Sequence, residues 1–293
     1  MSETVIGLLH PGEMGAAIGG ALVAAGHTVL WASEGRSTAT GSRAAAAGLS
    51  DTGTAGDLAR RSAVLLSICP PHAALEVAQL AAGFSDGIFV DANAIAPATA
   101  HQVRGIVESP TVDYVDGGII GPPPVDGAGG TGTRLYLSGE RAPEVAELFT
   151  GTDVEARLAD GGPAAASALK MAYAAWSKGA AALILAARAL AHAEQVEDML
   201  LEEWALSRPG LADRSQAAAR SATSSGWRWT GEMEEIAASM AAAGLPTGFH
   251  QAAAEIFRRP ARDETPGGDE ATAATVISAL LAGGQQPTRR SPR

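Results

Sequence analysis

Along the first half of the chain the spacing of apolar positions switches between a period of two and a period near 3.6. Residues 5–9 form a short apolar run that feeds into His10, Pro11, Gly12, Glu13, Met14 and Gly15, and an alanine-rich helical pattern occupies 16–25. Gly26 is a natural helix stop, and 27–31 reads as a second strand. The rhythm continues with a buried strand at 63–69, a helix at 73–82, a strand at 87–91, a helix at 97–107 and a strand at 112–116. Two more strands, 135–138 and 154–157, flank a helix that starts near Pro143. Strands that alternate with helices in this way predict a parallel, doubly wound sheet.

From Gly162 onward the period is helical only. Residues 164–194 form a long, nearly all-apolar helix whose polar side chains Ser167, Lys170, Tyr173, Ser177 and Lys178 fall within one arc. Such a helix is buried around most of its circumference, so the arc faces a cleft or a ligand; the alternative is a solvent-facing stripe. Further helical segments follow at 197–207, 211–223, 232–243, 247–259 and 269–282, with Pro209, Gly226, Gly244 and Pro246 at the joints. The chain thus divides at 160, with a helical domain over 161–284 and a disordered tail at 285–293.

The stretch after the first strand carries the chemistry. Gly12 removes a side chain where a pyrophosphate would approach backbone N–H groups, and Gly15 lets the following helix pack closely on the strand. Strand, turn and helix therefore read as a Rossmann-type dinucleotide-binding unit, giving an α/β fold with an all-helical C-terminal domain. His10 stands where the usual fingerprint has its first glycine, and a βαβ turn without a nucleotide is the alternative. At the end of the second strand, Ser33, Arg36 and Ser37 offer hydroxyls and a cation for a 2′-phosphate, favouring NADP(H) over NAD(H), while Glu34 cuts the other way and a plain solvated turn is the alternative. Cys69, Pro70 and Pro71 close a strand at the carboxyl edge, where ligands bind in such sheets; Cys69 reads as a small buried residue rather than a nucleophile.

Composition narrows the partners. Of the 293 residues 21 are Lys or Arg and 32 Asp or Glu, a net charge of −11, which argues against a surface that follows nucleic-acid phosphates. One cysteine excludes a disulfide framework and a cysteine-rich metal site and fits a reducing cytoplasm. No basic segment followed by an apolar run opens the chain, and the apolar helices carry charged residues, so neither a signal peptide nor a membrane span is expected.

These residues resemble the β-hydroxyacid dehydrogenases with a 6-phosphogluconate dehydrogenase type of NADP-binding domain, in a branch with its own helical C-terminal domain. Gly12, Glu13, Met14 and Gly15 match that family's first motif, and the segment from Asp91 to Pro97 matches its second, with Asn93 where a substrate-binding serine stands. A third motif appears from Asp116 through Gly117, Gly118, Ile119, Ile120 and Gly121 to Pro124, with Ile120 in place of a serine. The fourth, a glycine-led helix with a catalytic lysine, is matched by Gly161, Gly162 and Lys170, with Ala174 in place of the companion asparagine.

The resemblance implies hydride transfer between NADP(H) and a small hydroxy or keto compound, with Lys170 as general acid and base. It further implies cofactor contacts from His10, Pro11, Gly12, Glu13, Met14, Ser33, Arg36, Ser37, Cys69, Pro70 and Asn93. Asn93, Ile120, Gly121, Tyr173 and Lys178 are the candidate substrate residues. Lys170 on an apolar helix is expected to have its ammonium form destabilised by desolvation. Ile120 points to a substrate bulkier or less carboxylate-dependent than a simple hydroxy acid, any anion being held by Lys178, Arg228 or Asn93. Two other readings stay open: an imine reductase, which usually lacks the lysine, and a cofactor-binding protein without turnover. The family's exchanged helices imply a homodimer. Trp227, Arg228 and Trp229 either close over a substrate or pack a dimer.

Overall fold

The computed structural model describes residues 4–125, 132–260 and 273–282. The expected tail at 285–293 and the start of the helix read at 269–282 lie outside the described residues. The chain divides into two compact units, 1–171 and 172–293.

In the first unit, the described residues form one eight-stranded sheet in the order β3-β2-β1-β4-β5-β6-β7-β8. The strands are β1 (Val5–Leu8), β2 (Thr28–Trp31), β3 (Ser50–Asp51), β4 (Val64–Ser67), β5 (Gly87–Asp91), β6 (Val112–Ile120), β7 (Thr133–Ser138) and β8 (Val154–Leu158). Helices α1 (Glu13–Ala24), α2 (Thr38–Ala46), α3 (Ala55–Arg61), α4 (Ala74–Gln79), α5 (Pro97–Val107) and α6 (Ala142–Glu147) connect them. Pairing is parallel through β6, the doubly wound arrangement read from the sequence; the β6–β7 junction alone is antiparallel. Alternating inward positions build two apolar clusters. One is centred on Leu8, Ile18, Val29, Leu66 and Val90, the other on Leu58, Leu65, Phe89, Ile95 and Val103.

Two differences from the sequence reading have physical causes. The strand expected at 112–116 runs on to Ile120, because β7 pairs with it from Asp116 opposite Ser138 to Ile120 opposite Arg134. Gly117 and Gly118, beyond the strand predicted at 112–116, are strand residues crowded on their open sides. A Cβ at Gly117 would meet Asp91 O at 3.0 Å, and one at Gly118 would meet Ala166 O at 2.7 Å. The segment 38–61 also holds two helices and a short strand that apolar spacing did not reveal.

The long helix α7 (Ala165–Ala193) starts in the first unit and continues into the second. The second unit adds α8 (Glu197–Ser207), α9 (Leu211–Ala242), α10 (Gly248–Arg258) and α11 (Ala273–Ala282). Gly226 is not a joint: helices read separately at 211–223 and 232–243 are one helix, α9. The glycine serves close packing instead, since a Cβ there would lie 3.2 Å from Phe257 O on α10. The turn between α7 and α8 is pinned by buried Arg188, which pairs with Glu197 and donates to Ser215 Oγ at 3.0 Å, while His192 Nδ1 lies 2.8 Å from Glu197.

By length and composition α7 would also suffice to cross a membrane, its best 18-residue window averaging a hydropathy of 1.2. Its cations are matched by protein groups, Lys170 by Ile119 O, Lys178 by Glu232 and Arg188 by Glu197, as in a helix of a globular unit.

Candidate active site at the carboxyl edge of the sheet

Strand order reverses between β1 and β4, and the crevice beyond their carboxyl ends is where doubly wound sheets bind ligands. Leu9 N donates to Leu66 O at 3.0 Å, so the two strands stay joined up to the turn. There Gly15 sits so close under the turn that a Cβ would lie 2.4 Å from His10 O. Gly12 is the N-cap of α1 and, having no side chain, makes no side-chain cap there. A glycine cradle at a helix N-terminus whose N-cap residue is itself a glycine fits a dinucleotide pyrophosphate.

Arg36 does not point away from this turn. Its Nη1 lies 3.1 Å from His10 Nδ1, and its Nη2 donates to Leu9 O at 3.1 Å. Burial first, then the charges of Arg36 and Arg43, push His10 down to about 4, so its ring is neutral at physiological pH. Ser37 Oγ caps α2, accepting from Thr40 N at 3.2 Å. Asp51, at the end of the two-residue strand β3, accepts from Ser33 N at 3.1 Å and Gly53 N at 2.8 Å. This places a carboxylate beside the end of β2 that sequence reading missed, because β3 is too short to show a period.

At the ends of β4 and β5, Asn93 is buried and its amide is spent on the scaffold. Oδ1 accepts from Cys69 N at 2.6 Å and Nδ2 donates to Ser67 Oγ at 3.0 Å. Asp91 Oδ1 accepts from Asn93 N at 3.0 Å, whereas its buried Oδ2 has no partner. Burial pushes Asp91 up to about 7, and the nearby Asp116 charge adds to the rise. Burial also pushes the Cys69 thiol up to about 12, with Asp91 adding to the effect, which leaves it un-ionised and a poor nucleophile.

The third part is built on β6 and the first turns of α7. Asp116 is fully buried; it accepts from Ser167 Oγ at 2.5 Å, Ser167 N at 2.8 Å and Ser138 Oγ at 3.0 Å. Ser138 Oγ accepts from Ala166 N at 3.0 Å, so a carboxylate and a serine from the sheet seal the N-terminus of α7. Burial raises Asp116 while the bonds from Ser167 and Ser138 hold it down, the net shift being upward. With the helix held this way, Lys170 Nζ donates to Ile119 O at 2.7 Å, at the carboxyl end of β6.

Ile120, expected in a substrate loop, is a buried strand residue 4% exposed. Gly121 begins the loop with φ at +122°, and a Cβ there would lie 2.5 Å from Gly132 O. Another open cleft of about 770 Å³, lined by Val5, Arg60, Ser62, Gly87 and Arg141, lies at the amino ends of β1 and β5, away from these groups.

Within the second unit, the expected anion holder Lys178 is matched by Glu232 and lies over the Trp229 ring, 5.3 Å from its centroid. Trp229 in turn meets Phe257 edge-on at 5.1 Å, so part of the aromatic cluster is helix packing. Arg228 stacks on Trp227 at 5.5 Å. Tyr173 is 48% exposed and Ala174 is buried.

Residues 5–95 match the family model described as NADP oxidoreductase coenzyme F420-dependent, and residues 191–259 match a domain of unknown function, DUF1932. A conserved protein of unknown function, reported as structurally similar to 3-hydroxyacid dehydrogenases, shares 27% identity over 87% of this chain and 98% of its own, with a TM-score of 0.64. A Mycobacterium tuberculosis 3-hydroxyisobutyrate dehydrogenase with L-serine shares 18% over 97% and 100%, with a TM-score of 0.66. An Aspergillus terreus reductive aminase in complex with NADPH and ethyl levulinate shares 20% over 96% and 100%, with a TM-score of 0.55. No curated protein matches the chain. Fold, cofactor turn and matched models together define a class, the NADP-binding oxidoreductases. Within it the chain has the architecture of the 3-hydroxyacid dehydrogenases.

Proposed function

We propose that this protein is an NADP(H)-dependent oxidoreductase that transfers a hydride between the nicotinamide and a small hydroxy or keto compound, with Lys170 as general acid and base. The observation that carries the reading is the Lys170 ammonium, tied to Ile119 O at the carboxyl end of β6, on the same sheet edge as the cofactor turn. A bound nicotinamide supplies or accepts the hydride; the chain's part is orientation and the proton. The turn from His10 to Gly15 holds the pyrophosphate, and Arg36 and Ser37 meet the 2′-phosphate. One Lys170 N–H goes to Ile119 O, which leaves two for a substrate oxygen. In reduction that oxygen takes a proton from the ammonium, and in oxidation the neutral amine takes it back. Exposed Tyr173, one turn further along α7, is the second candidate for this proton.

The motif position that carries a serine in the resembling family is the buried strand residue Ile120, followed by Gly121 and three prolines, so no hydroxyl anchors a carboxylate there. The substrate is accordingly less carboxylate-dependent than 3-hydroxyisobutyrate or glycerate. A cofactor-consumption screen over keto acids, semialdehydes and cyclic imines tests the assignment. NADPH oxidation with a carbonyl substrate is expected, turnover confined to imines would make the protein an imine reductase, and no turnover with any class would leave a binding protein.

The same reading includes a homodimer. Leu169, Trp176, Leu183 and Leu190 recur every seven residues on α7 and are 40%, 73%, 56% and 65% exposed, a continuous apolar seam. Light scattering at micromolar concentration is expected to give twice the 29.5 kDa chain mass, and Trp176→Glu with Leu183→Glu to give a monomer. A wild-type monomer would refute the dimer.

A further inference from the structure

The cofactor turn carries an imidazole where its fingerprint usually has a glycine, and the surroundings of that imidazole decide where its hydrogen sits. A guanidinium can only donate hydrogen bonds, so the 3.1 Å contact between Arg36 Nη1 and His10 Nδ1 makes Nδ1 the acceptor. A neutral ring that accepts at Nδ1 carries its hydrogen on Nε2. The ring is neutral because burial and the two neighbouring guanidiniums, Arg36 and Arg43, oppose a second proton. Arg36 is itself held from the other side by its bond to Leu9 O at 3.1 Å. Among the described residues, Arg36 is the hydrogen-bond partner of the His10 ring.

The other edge of the ring lies beside the phosphate cradle. A Cβ at Gly12 would stand 3.2 Å from His10 Cδ2 and 3.3 Å from Nε2. Gly12 is also the N-cap residue of α1, with no side chain to cap the helix. A ring N–H donor therefore stands at the open end of a helix, next to the position that a glycine keeps clear.

We propose that His10 is a ligand of the cofactor pyrophosphate, donating Nε2–H to it, and that Arg36 is the positioning residue that sets this tautomer. The inference rests on the nicotinamide-cofactor reading. It gives His10 a reason to replace the fingerprint glycine: the turn gives up backbone freedom and gains a neutral donor aimed at an anion. It is compatible with Arg36 meeting a 2′-phosphate, since two of the five guanidinium N–H groups serve His10 and Leu9 and three remain.

Titration calorimetry with NADPH, NADH and adenosine 2′-monophosphate, on wild type and His10→Phe, tests the ligand role. The phenyl ring keeps the shape and loses the donor. Both dinucleotides are expected to bind about tenfold more weakly to the variant, in line with a lost hydrogen bond to a charged group, while the 2′-monophosphate, which lacks a pyrophosphate, loses only what Arg36 gives up with its brace; an equal loss for all three would place the effect on Arg36 and overturn the ligand role. A measurement that needs no variant is ¹⁵N NMR of histidine-labelled wild type. Nε2 is expected to be protonated and Nδ1 bare, inorganic pyrophosphate to perturb the Nε2–H signal, and Arg36→Met to erase the tautomer preference. Equal dinucleotide binding by His10→Phe and wild type, or a wild-type ring protonated on Nδ1, overturns the proposal and leaves the cofactor reading intact. Wild type that binds neither NADPH nor NADH overturns both.

Discussion

The first turn of α1 and the first turn of α7 bring a helix N-terminus against the carboxyl edge of the same sheet, with opposite outcomes. Both need a glycine for the close approach. On α1 it sits in the helix, Gly15 under His10 O, and on α7 it sits in the strand, Gly118 under Ala166 O. The N-cap residue of α1 is a glycine with no side chain to cap the helix, whereas α7 is capped from within by Asp116 and Ser138. A helix N-terminus attracts one anion. The α7 terminus has its anion already, in a buried carboxylate of the chain, so α1 is the end left for a ligand's phosphates. The sealed end does something else: it fixes the helix that carries Lys170.

The largest expected effect separates these two jobs. Lys170→Met is expected to lower kcat by about 10² to 10⁴, the usual worth of a positioned acid–base group, with NADPH affinity unchanged. Near-normal turnover would remove the lysine from the mechanism. The two glycines give the next contrast, since each added methyl forces an overpacked contact costing about 1–3 kcal/mol. Gly15→Ala is expected to weaken NADPH binding. Gly118→Ala, whose Cβ would also press on Lys170 Cβ at 3.1 Å, is expected to lower kcat while binding NADPH normally. If both variants lost the same property, the division of labour between the two helix ends would be wrong.

How far the sequence revealed this depends on whether a feature is local. The β1 turn was legible because its strand, glycines and helix are contiguous, and Lys170 stands out as a candidate because the polar arc of α7 shows at helical spacing. The α7 cap was not: Asp116 and Ser167 lie 51 positions apart, and nothing near either residue announces the other. Gly117 and Gly118 fell outside the predicted strand for the same reason, since what makes them strand residues is the pairing of β7 and the crowding of α7. The helices between 38 and 61 were missed although their caps are local. Ser37 accepts from Thr40 N, and Thr54 accepts from Asp57 N at 3.1 Å while donating to Asp57 Oδ2 at 2.7 Å, a capping signature that apolar spacing alone passes over.

A smaller effect sharpens the picture at the open end. Arg36 has two functions in this reading, bracing His10 and meeting a 2′-phosphate. Arg36→Ala is therefore expected to weaken NADH binding a little and NADPH binding more, changing their affinity ratio by about tenfold, the worth of a charge-assisted bond to phosphate. Competitive fluorescence titration of both cofactors measures the ratio. An unchanged ratio would leave Arg36 only its bracing role, and the carboxylate of Asp51 beside Ser33 would then be the dominant charge at the end of β2.

The smallest effect concerns the carboxylate next to the sealed end. Asp91 pairs with Asp116 across β5 and β6, has one bonded oxygen and one orphaned, and is pushed up to about 7 from an ordinary value of 3.8. Its proton is thus held more tightly in the folded chain than in the unfolded one. For such a group the stability contribution is complete below the unfolded value and is lost as pH rises towards and through the folded value. The Asp91 contribution is therefore expected to be lost between pH 4 and pH 7 and to level off above that, with Asp116 of the same sign, while His10, pushed down to about 4, acts in the opposite sense over that interval, so the readout is the difference between wild type and Asp91→Asn. Asp91→Asn keeps an acceptor for Asn93 N and removes the ionisable group. It is expected to gain stability relative to wild type as pH rises and to be more stable than wild type at pH 8 by about 1 kcal/mol, a fraction of the full linkage because the new amide N–H groups occupy the same orphaned position. Urea unfolding of both proteins at pH 5 and pH 8 measures this. A stability difference between the two proteins that is the same at pH 5 and pH 8, or a variant less stable at pH 8, would show that Asp91 is ionised and satisfied in the folded protein.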